Sequence, residues 1–340
     1  MPVNDRRTCR STLDEDSRVT MNEALFLSEA DIESLRIPDL EYVAAVESVL
    51  LEQGRGLVRR ALKATLTVPS GNYFQTLASA LLAHELACNK WIQVTQTSDG
   101  RTTIQATILL NSLATGRLLA VIDAARLTEL RTAAMTAIAA KALAHPSSES
   151  IGFVGCGVQA QGHLRLLAQV FPSLRRVCAF SRSRASAERL CALAASLGLS
   201  AAVAADAKSA VAGQDIVVTS VPRAGLSEPF LDGAWLSAGT FCSLVDLGRS
   251  WIADTLRKVP VVATDDAEQS SELAADGKLA LAGPYAFELG ELVGRPYTAE
   301  PSGPRLFIFG GMAVCDAAAA ALCYTKALAA SRRPPLGVVP

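Results

Sequence analysis

Three small residues at fixed spacing, Gly155, Gly157 and Ala160, form the stretch of this sequence best suited to chemistry. They follow an apolar run at residues 151–154 and precede a helical apolar pattern that starts at His163. In a strand–turn–helix unit the first glycine permits the tight turn, the second lets the backbone approach a pyrophosphate, and the alanine allows close packing. We therefore expect phosphate oxygens to bind the free N–H groups at the helix start.

Two charged residues elsewhere in the sequence are of a type that could act on a substrate. Arg131 lies in a helical stretch of mostly small or apolar residues, and its planar guanidinium suits a carboxylate because it can make two charge-assisted hydrogen bonds. Asp246 follows the apolar run 241–245, where a carboxylate could take a proton from an amine or activate water. A solvated helix arginine and a loop-capping aspartate fit the same patterns, so the residues alone leave both interpretations open.

The elements that must position these residues divide into two halves. From residue 150 onward, apolar runs alternate with helical patterns at the spacing of βαβ units, which predicts a parallel sheet and an α/β fold. The predicted strands are 151–154, 177–180, 215–221, 239–245, 261–264 and 307–311. Ligands of such sheets collect at the carboxyl ends of the strands, where Asp246 lies.

The first half has a different pattern. Two helices are expected within residues 28–53, the first capped by Ser28 and Asp31. Short β-type runs at 64–68, 73–77, 91–95 and 102–110 predict an antiparallel sheet, and residues 124–144 predict a long helix. A final helix at 312–330 is apolar enough to need a partner face, so we expect it to pack back on the first lobe.

The composition of the chain indicates which partners and which cellular location to expect. The 340 residues are 50% hydrophobic and carry a net charge of −1, which gives no electrostatic reason to expect nucleic acid or an anionic membrane as a partner. No apolar run reaches the ~20 residues of a membrane span. The eight scattered cysteines, with no apolar core of a signal peptide in residues 1–20, predict reduced thiols and a cytoplasmic location.

Cysteine and histidine positions predict no further chemistry. Cys156 lies inside the glycine turn, but no base is evidently paired with it, so we expect a small space-filling residue rather than a nucleophile. His84, His145 and His163 form no ligand spacing with cysteine or aspartate, and we predict no metal site.

Four motifs occur in an order that resembles the ornithine cyclodeaminase/μ-crystallin family. They are L-T-E-L-R-T-A-A at 127–134, G-C-G-V-Q-A at 155–160, D-I-V-V-T-S-V at 215–221 and F-x-x-x-G-x-A-x-x-D at 307–316. The resemblance covers residues 22–330 and implies a Rossmann-type NAD(P) domain beside an α+β domain for substrate binding and dimerisation. The polar, mixed-charge start of the chain predicts a disordered segment at 1–21. The resemblance implies a substrate domain at 22–128 and 312–332 and a cofactor domain at 129–311.

The resemblance also implies roles for single residues. Lys90 and Arg131 resemble the family's ligands of the substrate carboxylate, Thr103 falls at a substrate-side threonine, and Asp246 falls at a catalytic aspartate. Lys90 is expected to take part in catalysis as well as in binding. The second basic carboxylate ligand would be Lys63 by spacing, with Arg60 as its rival, and Asp316 either caps its helix or lies near the site.

The resemblance implies NAD or NADP as the cofactor. The residues expected to bind it are Gly155, Gly157, Val158, Gln159, Ala160, Ser181, Arg182, Thr219, Ser220 and Val221. An arginine after the second strand could accept a 2′-phosphate, which favours NADP, whereas a diaminopropionate-forming branch of the family favours NAD.

The implied reaction is hydride transfer at the Cα–N bond of an amino acid by a homodimeric enzyme. Residues 247–251 (L-G-R-S-W) depart from the family's P-G-K-x-E, which leaves the amino acid open. The alternatives are a siderophore-type N-(amino-carboxyethyl)glutamate dehydrogenase, an ornithine or lysine cyclodeaminase, a ketimine or cyclic imine reductase, and an alanine-type dehydrogenase. A non-enzymatic NADPH- and ligand-binding protein is the alternative from another class.

Overall fold

The computed structural model describes residues 24–70, 72–96, 102–223, 226, 228–300 and 302–331. The predicted disorder of residues 1–21 therefore lies outside the described residues. The described strands form two separate sheets, one of seven strands and one of eight. The first is built from the N-terminal part of the chain and the second from the part that follows the long central helix.

The first sheet is antiparallel apart from one edge. Its strands are β1 (Leu25–Leu27), β2 (Val58–Arg60), β3 (Ala64–Thr67), β4 (Tyr73–Leu81), β5 (Leu86–Gln96), β6 (Thr102–Ser112) and β7 (Leu118–Asp123). The order is β1-β7-β6-β5-β4-β2, with β3 also on β4, and β1 runs parallel to β7. The four predicted strands are present. The sequence prediction missed β1, β2 and β7, and the first two have only three residues each, too few for an alternating pattern.

Four helices pack around this sheet and beside it: α1 (Glu29–Ser34), α2 (Asp39–Gly54), α3 (Ala125–Leu143) and α10 (Ala313–Ser331). The Ser28 capping box is present, since the Ser28 hydroxyl accepts the Asp31 N–H and Asp31 accepts the Ser28 N–H. Helix α10 has the length and composition of a membrane span, but it is mostly buried inside the protein. It contacts α2, α3, β4 and β5, as predicted for a helix that returns to the first lobe.

The second sheet is parallel throughout. Its strands are β8 (Ser150–Val154), β9 (Arg176–Phe180), β10 (Ser200–Val203), β11 (Ile216–Thr219), β12 (Phe241–Leu244), β13 (Val261–Thr264), β14 (Phe287–Glu288) and β15 (Arg305–Ile308). The order is β10-β9-β8-β11-β12-β15-β13-β14. The connecting helices are α4 (Val158–Val170), α5 (Arg184–Ser196), α6 (Ala207–Val211), α7 (Ala253–Leu256), α8 (Ala267–Ala275) and α9 (Leu289–Leu292).

The strand order of this sheet reverses between β8 and β11. The chain first builds outward from β8 through β9 to β10, and then crosses back to start the other half at β11. Crevices at such a reversal are where ligands of doubly wound sheets bind. Because all eight strands are parallel, the loops after β8, β11, β12, β15 and β13 meet at one edge. At about 4.8 Å per strand, β8 and β15 lie about 14 Å apart there.

Gly152, in the middle of β8, provides a test of this packing. A Cβ at Gly152 would lie 1.8 Å from the backbone oxygen of Ala210, which cannot swing away as a flexible side chain could. We expect Gly152→Ala to destabilise the protein by about 2 kcal/mol or more, as overpacking of a core does. Thermal unfolding followed by fluorescence would measure the loss.

Gly54, at the end of α2, is the matched control for that substitution. A Cβ there would meet no atom within 4 Å, so Gly54→Ala should leave the melting temperature unchanged or raise it slightly. Equal melting temperatures for the two variants would contradict the close contact between β8 and α6.

Candidate active site

The glycine turn lies at the reversal point of the parallel sheet. Strand β8 is buried along its whole length and is followed directly by Gly155, whose φ of +86° is costly for any residue with a side chain. A Cβ at Gly155 would also lie 2.7 Å from the backbone oxygen of Ser220, which directly follows β11. Glycine is therefore required here by both backbone conformation and close approach.

The start of α4 fits the pyrophosphate of a dinucleotide. Gly157 is the N-cap residue and provides no side-chain hydrogen bond, so the first N–H groups of the helix are left for another acceptor. A Cβ at Gly157 would meet nothing within 4 Å, which shows open space beside the turn. Ala160 is fully buried against the sheet, while Val158 is exposed, and the buried Oε1 of Gln159 has no partner among the described residues.

The segment after β9 lies beside this turn. The carbonyl of Phe180 accepts the Gly155 N–H at 2.9 Å and the Cys156 thiol at 3.4 Å. Ser181 and Arg182 follow directly, and Arg182 is exposed. This is the position from which a side chain could contact the ribose of a bound dinucleotide. Burial raises the pKa of the Cys156 thiol to about 12, which suits a space-filling residue and not a nucleophile.

Asp246 follows β12 at the same edge and is held by four donors. Its Oδ1 accepts the Thr219 hydroxyl and the Gly248 N–H, both at 3.1 Å. Its Oδ2 accepts the Ser250 hydroxyl at 2.6 Å and the Val221 N–H at 3.3 Å. Burial raises the pKa of Asp246 above its usual range, although the hydrogen bonds from Ser250, Val221 and Thr219 act to lower it. The carboxyl group thus joins the loops that end β11 and β12, next to the glycine turn.

Lys90 and Arg131 converge on Asp316. The Oδ1 atom of Asp316 accepts a hydrogen bond from Lys90 Nζ at 2.8 Å and another from Arg131 Nε at 2.9 Å. Lys90 Nζ also donates to the Thr128 hydroxyl at 2.6 Å. Lys90 is 0% exposed, which excludes a surface lysine, and Asp316 pairs across the fold instead of capping its own helix.

Lys63 joins this group from the edge of the first lobe. Its ammonium donates to the carbonyl of Gly310, in the loop after β15, and it interacts electrostatically with Asp265, Arg131, Asp316 and Lys90. We call these five residues, Lys63, Lys90, Arg131, Asp265 and Asp316, the cation cluster. Lys63 is its least buried member, since its side chain remains partly exposed.

Arg60 has different partners. Its guanidinium pairs with Asp266 at 2.6 Å and with Glu268 at 2.9 Å, both at the start of α8. It therefore ties β2 to the second sheet's layer of helices, and Lys63 is the residue that reaches the cluster.

The cluster has an uneven balance of charge that shifts the pKa values of its members. Burial alone would raise the pKa of Asp316, but Arg131 and Lys90 hold it below its usual range. Burial lowers the pKa of Lys63 and of Lys90 to about 8 each, against the neighbouring carboxylates, which act to raise them. Three cations thus face two carboxylates, and the Oδ2 atom of Asp316 has no hydrogen-bond partner within the described residues.

Thr103, the fourth predicted substrate ligand, does not join the cluster. Lys90 pairs with Ile108 in the register of β5 and β6, whereas Thr103 pairs with Thr95. An odd separation of five residues places Thr103 on the other face of the sheet and about 17 Å further along the strand. The spacing of Lys90 and Thr103 in the sequence did not reveal their opposite orientation. The face on which each side chain lies depends on the register between β5 and β6.

Two residues at the site were missed by the sequence prediction. Thr128 belongs to the L-T-E-L-R-T-A-A motif, but only the fold brings its hydroxyl to Lys90. Asp265 directly follows the apolar strand β13, as Asp246 nearly follows β12, and that shared pattern could have identified it. Within the described residues no group of three His, Cys, Asp or Glu side chains could hold a metal ion, and the absence of a metal site stays a prediction.

Known proteins resemble this chain in both sequence and fold. The ketimine reductase mu-crystallin of Rattus norvegicus is 36% identical over 223 residues, which are 65% of this chain and 69% of the relative. The Thermococcus litoralis Δ1-pyrroline-2-carboxylate reductase, solved with NADH and L-proline, superposes with a TM-score of 0.80 at 26% identity, over 90% of this chain and 98% of that one.

An archaeal alanine dehydrogenase dimer with bound NAD gives a TM-score of 0.78 at 27% identity, over 93% of this chain and 99% of that one. The family model for ornithine cyclodeaminase/mu-crystallin matches residues 22–331. That match spans both sheets, the glycine turn and the cation cluster, so this chain belongs to the ornithine cyclodeaminase/mu-crystallin family.

Proposed function

We propose that this protein is an NAD(P)-dependent oxidoreductase that moves a hydride between the nicotinamide ring and the Cα atom of an α-amino acid or its imine. The observation that carries the proposal is the cation cluster, in which three cations face two carboxylates at the boundary of the two lobes. One positive charge is unmatched, and the α-carboxylate of a substrate would neutralise it. Lys63 is the partly exposed member, so we expect the substrate to reach the cluster from its side.

The glycine turn indicates which molecule exchanges the hydride with the substrate. Its open N–H groups fit the pyrophosphate of a dinucleotide. When bound, NAD(P) accepts or supplies the hydride at its nicotinamide ring. The cluster and the glycine turn lie at the same edge of the parallel sheet, where Gly155, Gly157 and the first N–H groups of α4 would hold the dinucleotide. The Thermococcus litoralis relative, which was solved with NADH and L-proline, supports the same pair of ligand classes for this chain.

Side chains of this protein bind the substrate and transfer its proton. Arg131, Lys90 and Lys63 hold the α-carboxylate and so orient Cα toward the sheet edge, and positioning of this kind lowers a barrier substantially. Asp246 takes or returns the proton of the substrate nitrogen. Its raised pKa favours exchange of a proton, and the Ser250 hydroxyl at 2.6 Å fixes the orientation of the carboxyl group.

The test is the absorbance of the reduced nicotinamide with NAD(H) and NADP(H) in turn. The candidate substrates are L-ornithine, L-lysine, L-alanine, L-proline, N-(amino-carboxyethyl)glutamate and Δ1-pyrroline-2-carboxylate. A rise with an amino acid would identify a dehydrogenase, a fall with the cyclic imine a reductase, and ammonia release without net change a cyclodeaminase. No turnover in any combination would refute the proposal.

Arg131→Ala should remove a ligand of the substrate carboxylate without changing the affinity for the cofactor. We expect kcat/KM for the active substrate to fall by about 30-fold or more, corresponding to ~2 kcal/mol for loss of one partner of a buried charge pair. The dissociation constant of NAD(P)H, measured by fluorescence, should stay within about twofold. Arg126→Ala, on the same helix but paired with Glu129, is the control and should keep its kcat/KM.

The lysines should make substrate binding dependent on pH. Their pKa values of about 8 mean that the ammonium form, which binds the carboxylate, is present below that pH and lost above it. The substrate KM should therefore rise between about pH 7 and about pH 9, and Lys63→Arg should flatten the rise because arginine keeps its proton. Lys278→Arg, an exposed lysine paired with Asp276, is the control, and an identical profile for all three proteins would contradict the role of Lys63.

We further propose that two copies of this chain associate through the outer face of the first sheet. The register of the strands aligns an apolar stripe on the face opposite Lys90. Its members are Phe26, Leu66, Phe74, Trp91, Leu109 and Val121. Phe26 is 62% and Leu66 58% exposed, and the rings of Phe74 and Trp91 stack at 5.7 Å. A row of exposed and partly exposed apolar side chains on one face favours a protein interface, and an archaeal relative was solved as a dimer.

Trp91→Glu should convert that dimer to a monomer, because it would bury a carboxylate without a partner in the centre of the stripe. Light scattering coupled to size exclusion would give the mass. Leu197→Glu, which changes an exposed leucine on the second lobe, should leave the dimer intact. A monomeric wild type would contradict the dimer, and a dimeric Trp91→Glu protein would contradict this surface.

A further inference from the structure

The loop formed by Gly310 and Gly311, between β15 and α10, has all its backbone polar groups bound by side chains. Asp265 accepts both N–H groups, that of Gly311 at 2.7 Å and that of Gly310 at 3.3 Å. Lys63 donates to the carbonyl of Gly310, and the Gln269 amide donates to that of Gly311 at 3.1 Å. Side chains thus satisfy the backbone groups that no strand or helix partner satisfies here.

The loop is also confined by contact. Gly311 has a φ of +85°, and a Cβ there would lie 2.7 Å from the Nη1 atom of Arg131. A Cβ at Gly310 would lie 2.5 Å from the side chain of Leu273. The backbone therefore presses directly against the guanidinium group, so the path of the loop limits where Arg131 can lie.

The same loop sets the start of α10. Two residues after Gly311 the helix begins, and it carries Asp316, the shared acceptor of Lys90 and Arg131. A shift of the loop would thus move the contact with Arg131, the acceptor of Lys63 and the carboxylate between the other two cations. All three cations of the cluster depend on this one segment.

The carboxylate of Asp265, which accepts the N–H groups of the loop, is itself held in place by other contacts. It is 1% exposed, and its Oδ1 atom also accepts the Asp266 N–H at 3.0 Å. The hydroxyls of Thr264 and Ser270 lie at 3.4 Å from the same oxygen. The carboxylate therefore transmits the position of β13 and α8 to the loop.

We infer that Asp265 is a positioning residue for the substrate carboxylate, acting through the Gly310–Gly311 loop on Lys63, Arg131 and Asp316. The inference rests on the proposed function of the cation cluster. In this role Asp265 does not contact the substrate, whereas the three cations do. Its removal should weaken substrate binding while the glycine turn, at the other end of the sheet edge, keeps its affinity for the cofactor.

Hydrogen exchange on the full chain gives the first readout. In Asp265→Asn, which keeps the shape but loses one acceptor and the charge, the amides of residues 310 and 311 should exchange about tenfold faster or more. Asp266→Asn is the matched control, because Asp266 is the adjacent buried aspartate but bonds to the Gln269 N–H and Arg60. Unchanged exchange at 310–311 in Asp265→Asn would overturn the inference.

Steady-state kinetics with the substrate found active for the wild type gives the second readout. We expect Asp265→Asn to raise the substrate KM by about tenfold, with kcat and the KM for NAD(P)H within about twofold, and Asp266→Asn to leave all three within about twofold. A loosened loop with an unchanged substrate KM would overturn the inference and leave the proposed function standing. A wild type without turnover on any substrate would refute the proposed function, and the positioning role would fail with it.

Discussion

A single carboxylate oxygen, Oδ1 of Asp316, accepts hydrogen bonds from two cations and thereby joins three elements of the fold. Lys90 comes from β5, Arg131 from α3 and Asp316 from α10, and all three are almost completely buried. Charges taken out of water are costly unless they are paired, and removal of one partner leaves the others uncompensated. The cluster therefore requires that the last helix return to the first lobe, 226 residues along the chain from Lys90.

The same cluster that joins the lobes carries an excess of positive charge. Its carboxylates number one fewer than its cations. A substrate carboxylate would supply the missing negative charge, so in the proposed function substrate binding and the charge balance of the cluster are coupled. Because burial has lowered the pKa of the lysines to about 8, this balance is sensitive to pH near neutrality.

Helix α3 links the substrate side of the site to the cofactor side. Besides Arg131 it carries Thr136, whose hydroxyl bonds to His163 Nε2 at 3.0 Å and to Ser243 Oγ at 2.8 Å. His163 Nδ1–H donates to the Gln159 carbonyl at 2.7 Å, and burial lowers the histidine pKa to about 4, so the neutral ring can accept from Thr136. One chain of hydrogen bonds thus connects α3, the first turn of α4 and strand β12, which precedes Asp246.

The sequence by itself determined six of the eight strands of the parallel half, because glycine spacing and apolar runs are local signals of strand, turn and helix. It did not indicate β10 or β14, which have only four and two residues. It also determined the motif that contains Arg131, and the resemblance pointed to Lys90. Only the tertiary structure decided that Lys63 and not Arg60 reaches the cluster, that Thr103 lies on the opposite face from Lys90, and that Asp265 holds the loop beside Arg131. Those facts depend on register and on contacts between distant segments, which no local pattern of residues encodes.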